Sequence, residues 1–106
     1  MEVSKSDWKL FRARIGDWQE AYMERLVKEY RDLLDGEENA SDKFWRLEER
    51  IKKDKKHPGV LIELRKSTVI YDIVSLINLE VITKADLADF SDDLKEKVDF
   101  MLSREW

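Results

Sequence analysis

The sequence predicts an all-α fold: an elongated, four-helix bundle-like domain with a long N-terminal helix and an antiparallel helical hairpin. Three observations carry this. Trp8, Phe11, Ile15, Trp18, Tyr22, Leu26, Tyr30 and Leu33 recur in steps of three and four, the spacing that stacks side chains on one helix face. Only three Gly and one Pro occur in 106 residues, too few turn residues for an all-β chain. Apolar and charged residues each make up 42%, as in proteins built of long amphipathic helices. A chain of this length forms one domain, residues 1–106, with a single modest core.

The first helix is expected to begin near Ser4 to Ser6, because Ser4 and Asp7 stand three apart as in a capping box. It should run to about Asp35, with Gly36 taking a left-handed conformation just past its end. Gly16-Asp17 offers a break, and Asp17 with Glu20 could cap a second helix. The apolar phase from Phe11 through Ile15 and Trp18 to Tyr22 crosses Gly16 without a slip, which favours one continuous helix.

After the polar turn Gly36–Ala40, Ser41 is the expected cap of a second helix that turns Phe44, Leu47 or Glu48, and Ile51 inward. It ends in Lys52-Lys53-Asp54-Lys55-Lys56, and His57-Pro58-Gly59 stops it. A third helix is expected from Val60 to about Leu79. The competing reading pairs Val60–Leu64 with Thr68–Val74 as strands. Thr83 should cap a fourth helix, with Asp86 three residues on and Ile82 and Leu87 placed as a hydrophobic staple. Leu87, Phe90, Leu94, Val98 and Met101 continue its apolar face, and Ser91-Asp92-Asp93 offers a second starting point. Trp106 is expected to be frayed.

Length sets a constraint on packing. A first helix of about 30 residues is roughly 45 Å long, whereas a compact domain of this size is about 35 Å across. The second helix would reach back only to around Trp18, leaving Trp8, Phe11 and Ile15 to find cover. Leaving them bare forfeits roughly 1.5–3 kcal/mol each. The cover is the third and fourth helices, a bend at Gly16, or another chain.

The chemistry-bearing residues exclude more than they assign. There is no Cys, so disulfides, thiolate metal sites and cysteine nucleophiles are out. The stretch MEVSKSDWK lacks the apolar core of a signal peptide, and no window has the roughly 18 apolar residues of a membrane span. A cytoplasmic protein without membrane contact is expected, in which Asn39-Ala40-Ser41 is a chance glycosylation match. His57 is the only histidine, expected on the surface of a Lys-rich turn. No phosphate loop, nucleophile motif or metal-ligand spacing appears. No catalytic residue, cofactor or metal is therefore assigned, and an enzyme is not expected.

Two charged features bear on nucleic acid. Lys52, Lys53, Lys55, Lys56 and His57 form a basic run, and Lys5, Lys9 and Arg12 share a helix face near Arg14. The cations in the last turn of the second helix are accounted for by its dipole. The segment after Pro58 opens Val60-Leu61-Ile62-Glu63-Leu64, apolar where a recognition helix needs polar residues. Asp86, Asp89, Asp93 and Glu96 would share one face of the fourth helix, a row able to imitate DNA phosphates. The net charge of −4 gives no general drive toward nucleic acid, and a nucleic-acid role, direct or by mimicry, is the second expectation.

Arg14-Ile15-Gly16-Asp17-Trp18-Gln19-Glu20-Ala21-Tyr22-Met23, with Lys43-Phe44-Trp45 and Asp54-Lys55-Lys56, resembles a group of small uncharacterised proteins from Gram-positive bacteria and their mobile elements. The resemblance implies a bacterial cytosolic protein acting on another macromolecule. It carries no activity and no functional residue.

The leading expectation is a non-enzymatic protein–protein interaction or regulatory module that binds a protein partner or associates with itself as a homodimer. Trp8, Phe11, Ile15 and Trp18 are its expected contact residues, because Trp and Tyr are enriched in binding hot spots and the hairpin does not reach that end. Trp45 is added, since it follows Phe44 and cannot face the same seam.

Overall fold

The computed structural model describes residues 2–104, so Trp106 lies outside the described residues. Four helices follow one another: α1 (Lys5–Leu34), α2 (Ala40–Asp54), α3 (Val69–Asn78) and α4 (Asp92–Arg104). Short 3-10 turns occupy Lys66–Thr68 and Lys84–Leu87, and no strand occurs among the described residues. The fold is all-α and elongated, 52 × 30 × 21 Å with a radius of gyration of 16.6 Å, against about 13 Å for a compact domain of this size.

α1 is the spine. The Ser4 hydroxyl accepts the Asp7 N–H at 3.1 Å, and the helix runs unbroken through Gly16 for 30 residues. Its N-terminal half lies in a globular head. There Phe11, Ile15 and Trp18 share one core with Val69, Ile70, Ile73 and Leu76 of α3 and with Leu87, Phe90, Leu94 and Val98. Its C-terminal half leaves the head and pairs with α2 as a two-helix arm.

Head cohesion rests on a buried long-range polar contact as well as on apolar burial. Asp7 is only 4% exposed. Its carboxylate accepts the Ser91 N–H at 3.0 Å and the Ser91 hydroxyl, tying the starts of α1 and α4 together. The same Ser91 oxygen accepts the Leu94 N–H at 3.2 Å. That is why α4 begins after Ser91: a 3-10 turn with the expected Thr83–Asp86 capping box comes first, and Ser91 restarts the helix where Asp7 meets it.

α3 ends in a Schellman arrangement, with Val81 N–H donating to the Leu76 carbonyl and Glu80 N–H to that of Ile77. Glu80 takes the left-handed position at φ 62°, where Gly is the usual occupant. The Arg25 guanidinium donates to the Glu80 carbonyl, fixing this turn against α1.

Several boundaries differ from the expected ones. Gly36 is not left-handed, since no Gly among the described residues has positive φ; α1 closes instead with the Asp35 N–H donating to the Arg31 carbonyl at 2.9 Å and the Gly36 N–H to that of Leu33 at 3.4 Å. Asn39, not Ser41, caps α2, its side-chain oxygen accepting the Asp42 N–H at 3.1 Å. Val60 does not open α3. The Val60 and Leu61 N–H groups both turn back to the His57 carbonyl at 2.9 Å. Residues 61–65 then connect arm to head without regular secondary structure, with Leu61 and Leu64 exposed.

A candidate protein-interaction surface on the arm

Of the five residues expected at a contact surface, four are taken up by the head. Phe11 is fully buried and Ile15 and Trp18 nearly so. Trp8 is half-buried against the same core. Trp18 packs on Phe90 with ring centroids 6.2 Å apart, so cover comes from the segment leading into α4 and from α3. Of the three covers the sequence leaves open for this end of α1, the structure shows the first: α3, α4 and the segment before α4 bury it within the chain. Trp45 is 64% exposed, its ring edge-on to Phe44 at 5.0 Å.

The bare end is the other one. α2 is strongly amphipathic, yet none of its residues is buried. Phe44 is 64% exposed and Ile51 39%, although both were expected to face inward. On α1, Met23, Val27 and Leu34 are exposed as well, in steps of four and seven that align them on one face. The reason is geometric. A lone pair of helices has one seam, and here that seam is largely polar. The Tyr30 hydroxyl donates to the Asp54 carboxylate. Arg50 pairs with Glu29 at 3.1 Å and Asp54 at 3.6 Å, lying over the Tyr30 ring. The apolar residues are left to one side of the seam.

They form a continuous open groove. Where the helices meet, it is lined by Met23, Leu26, Val27, Tyr30, Ile51 and Val60, with Asp54 and Lys55 at its border. On α2 it continues along Phe44, Leu47 and Ile51, edged by Glu48, Lys52 and Lys55. On α1 it continues past Met23 and Val27, edged by Glu20, Glu24, Lys28 and Arg31.

The base of the arm is held firmly. Tyr22 stacks on His57 with centroids 4.6 Å apart, and its hydroxyl lies 3.3 Å from His57 Nε2. His57 Nδ1 accepts the Gly59 N–H at 3.0 Å, and Gln19 donates to the Pro58 carbonyl at 3.0 Å. A Cβ on Gly59 would lie 2.4 Å from the Tyr22 ring, so only Gly fits there. His57 is thus half-buried and held by packing contacts. Burial pushes its pKa below the usual value, partly offset by Asp54. Burial and the Asp54 carboxylate push Tyr30 up to about 12.

The charged features fall elsewhere. Lys52, Lys53, Lys55 and Lys56 are all exposed. The acidic row does not share one helix: Asp86 closes the Thr83 capping box, Asp89 pairs with Arg14 at 2.7 Å, and Asp93 pairs with Lys97 within α4. Among the described residues no group of three or more His, Asp or Glu is placed to hold a metal ion, and no helix is long and apolar enough to cross a membrane.

No protein-family model, curated protein or solved structure matches the chain. The groove could have been anticipated from the length constraint. Helices occupied at one end of α1 cannot also cover the other, and a single α2 cannot hide both flanks of the distal half.

Proposed function

We propose that this chain is a non-enzymatic protein-interaction module in which the head is a scaffold and the α1/α2 arm presents the contact face. The observation that carries this is that α2, with Phe44, Leu47 and Ile51 on one side, has no buried residue. Exposing one such side chain forfeits roughly 1.5–3 kcal/mol of burial, and contiguous exposed apolar surface marks interaction sites on soluble domains. Charged residues rim the groove on both helices, giving the apolar-centre, polar-edge anatomy of protein contacts. Trp45 stands at the outer edge of α2 and serves as a peripheral contact. The absence of cysteine suits a cytoplasmic setting.

Site-specific photocrosslinking in the native cell tests this. A crosslinker at Val27 or Phe44 is expected to capture a discrete protein, whether another chain or this one. At Arg46 or Lys53, which lie off the groove, it should not. Equal capture from all four positions, or from none, would overturn the reading.

A further inference from the structure

The charges around the groove are ordered. On α1, the end nearer the head carries Glu20 and Glu24, and the end nearer the tip carries Lys28 and Arg31. On α2 the order along the arm is the same in direction but opposite in sign: Glu48 lies toward the tip, and Lys52 and Lys55 toward the head. The face therefore has four quadrants that alternate in sign: acidic and basic along α1, basic and acidic along α2, read from head to tip. None of these seven residues forms an ion pair within the described chain, while the seam below engages Glu29, Arg50 and Asp54.

A partner of uniform charge would meet half of this face like on like, which is destabilising. A face with alternating quadrants meets its own copy differently. Turned about any two-fold axis lying in the plane of the face, along the arm or across it, every acidic quadrant lands on a basic one. If the axis crosses the arm, Glu20 and Glu24 oppose Lys28 and Arg31 of the second copy, and Glu48 opposes Lys52 and Lys55. If it runs along the arm, Glu20 and Glu24 oppose Lys52 and Lys55. Twofold contacts need this self-complementarity, because one patch serves both sides.

We infer that the occupant of the groove is a second copy of this chain, packed arm on arm so that two hairpins close a four-helix bundle around Met23, Val27, Phe44 and Ile51. This rests on the reading of the arm as the contact face. The bundle geometry is an ordinary one for paired helical hairpins. Its size places it among small, transient interfaces. The stretch 20–34 of α1 rises about 22 Å, and two helices side by side span about 20 Å. The contact thus buries roughly 900 Å² counting both copies, below the standard range of interfaces. Association is therefore of the weak, concentration-dependent class.

Sedimentation equilibrium from about 10 μM to about 1 mM tests it, with a melting curve to verify that each variant is folded. Wild type is expected to shift from monomer toward dimer across this range. Val27→Asp with Phe44→Asp should weaken association about a hundredfold or more, and Glu20→Lys with Glu24→Lys about tenfold. Adding Lys28→Glu and Arg31→Glu to the latter pair restores association if the axis crosses the arm. Adding Lys52→Glu and Lys55→Glu restores it if the axis runs along the arm. Failure of both restorations, or undiminished association in the Val27/Phe44 variant, overturns the inference. A wild type that stays monomeric throughout also overturns it. If the groove nonetheless crosslinks a different protein in the cell, only the second copy falls and the arm remains the contact face.

Discussion

Truncating Phe11 and truncating Phe44 should have very different costs, although both are phenylalanines on amphipathic helices. Phe11 has no exposed surface and sits between Trp8 and Trp18, with ring centroids 6.5 and 6.1 Å away. Phe11→Ala opens a cavity in the head and should cost about 3–5 kcal/mol, a large part of the roughly 5–15 kcal/mol by which a domain is stable. Phe44 is 64% exposed, so only about a third of its roughly 1.5–3 kcal/mol of burial is realised. Phe44→Ala should therefore cost about 0.5–1 kcal/mol. At roughly 4–8 °C per kcal/mol for a chain of this size, the first variant melts at least about 12 °C lower and the second by about 2–8 °C. Thermal melts followed by circular dichroism on dilute protein, where association is absent, measure both. Comparable costs for the two would mean that Phe44 is packed in the monomer, and the open groove would be refuted.

Three further outcomes follow from local geometry. Gly16→Ala should raise stability by about 0.5–1 kcal/mol, because the added methyl meets nothing within 4 Å in an unbroken helix, whereas Gly59→Ala should cost about 1–3 kcal/mol by driving a methyl into the Tyr22 ring; paired urea titrations read both. His57 is held below its usual pKa of 6.5 by burial, so between the folded and unfolded values the unfolded chain binds more protons. Its contribution is full above about pH 6.5 and is lost as pH falls. The urea midpoint should drop more steeply from pH 7.5 to 5 in wild type than in His57→Gln, and equal slopes would contradict it. Asp7→Ala leaves the Ser91 N–H and hydroxyl without their shared acceptor and should cost about 1.5–3 kcal/mol, with faster amide exchange at Ser91 and Leu94; unchanged exchange there would show that Asp7 does not hold the start of α4.

Much of this architecture is legible in local sequence. The Ser4 cap and the Thr83–Asp86 box are short-range hydrogen-bond patterns, and both occur. The continuity of α1 follows from an apolar phase that Gly16 does not interrupt. What local pattern cannot carry is choice among distant partners. Asp7 and Ser91 are 84 positions apart, and nothing near either residue announces the other. The same limit applies to the cover of α1. Its length shows that α2 alone cannot cover it, but only the packing of Val69, Ile70, Ile73 and Phe90 on Phe11 and Trp18 decides which of the possible covers takes the N-terminal end. Phe44 and Ile51 then lie on an amphipathic face read correctly as apolar and wrongly as inward. Helical periodicity identifies a face without saying whether anything lies opposite it.

Hydroxyl-radical footprinting read by mass spectrometry, on the same protein dilute and concentrated, tests the arm most directly. In dilute protein Met23, Phe44 and Trp45 should label strongly, while Phe11 and Trp18 stay protected. In concentrated protein Met23 and Phe44 should lose most of their labelling, with Trp45, at the outer edge of α2, losing much less. Unchanged labelling of Met23 and Phe44 in a sample whose mass shows dimer, or strong labelling of Trp18 in the dilute one, would contradict the placement of the contact face on the arm.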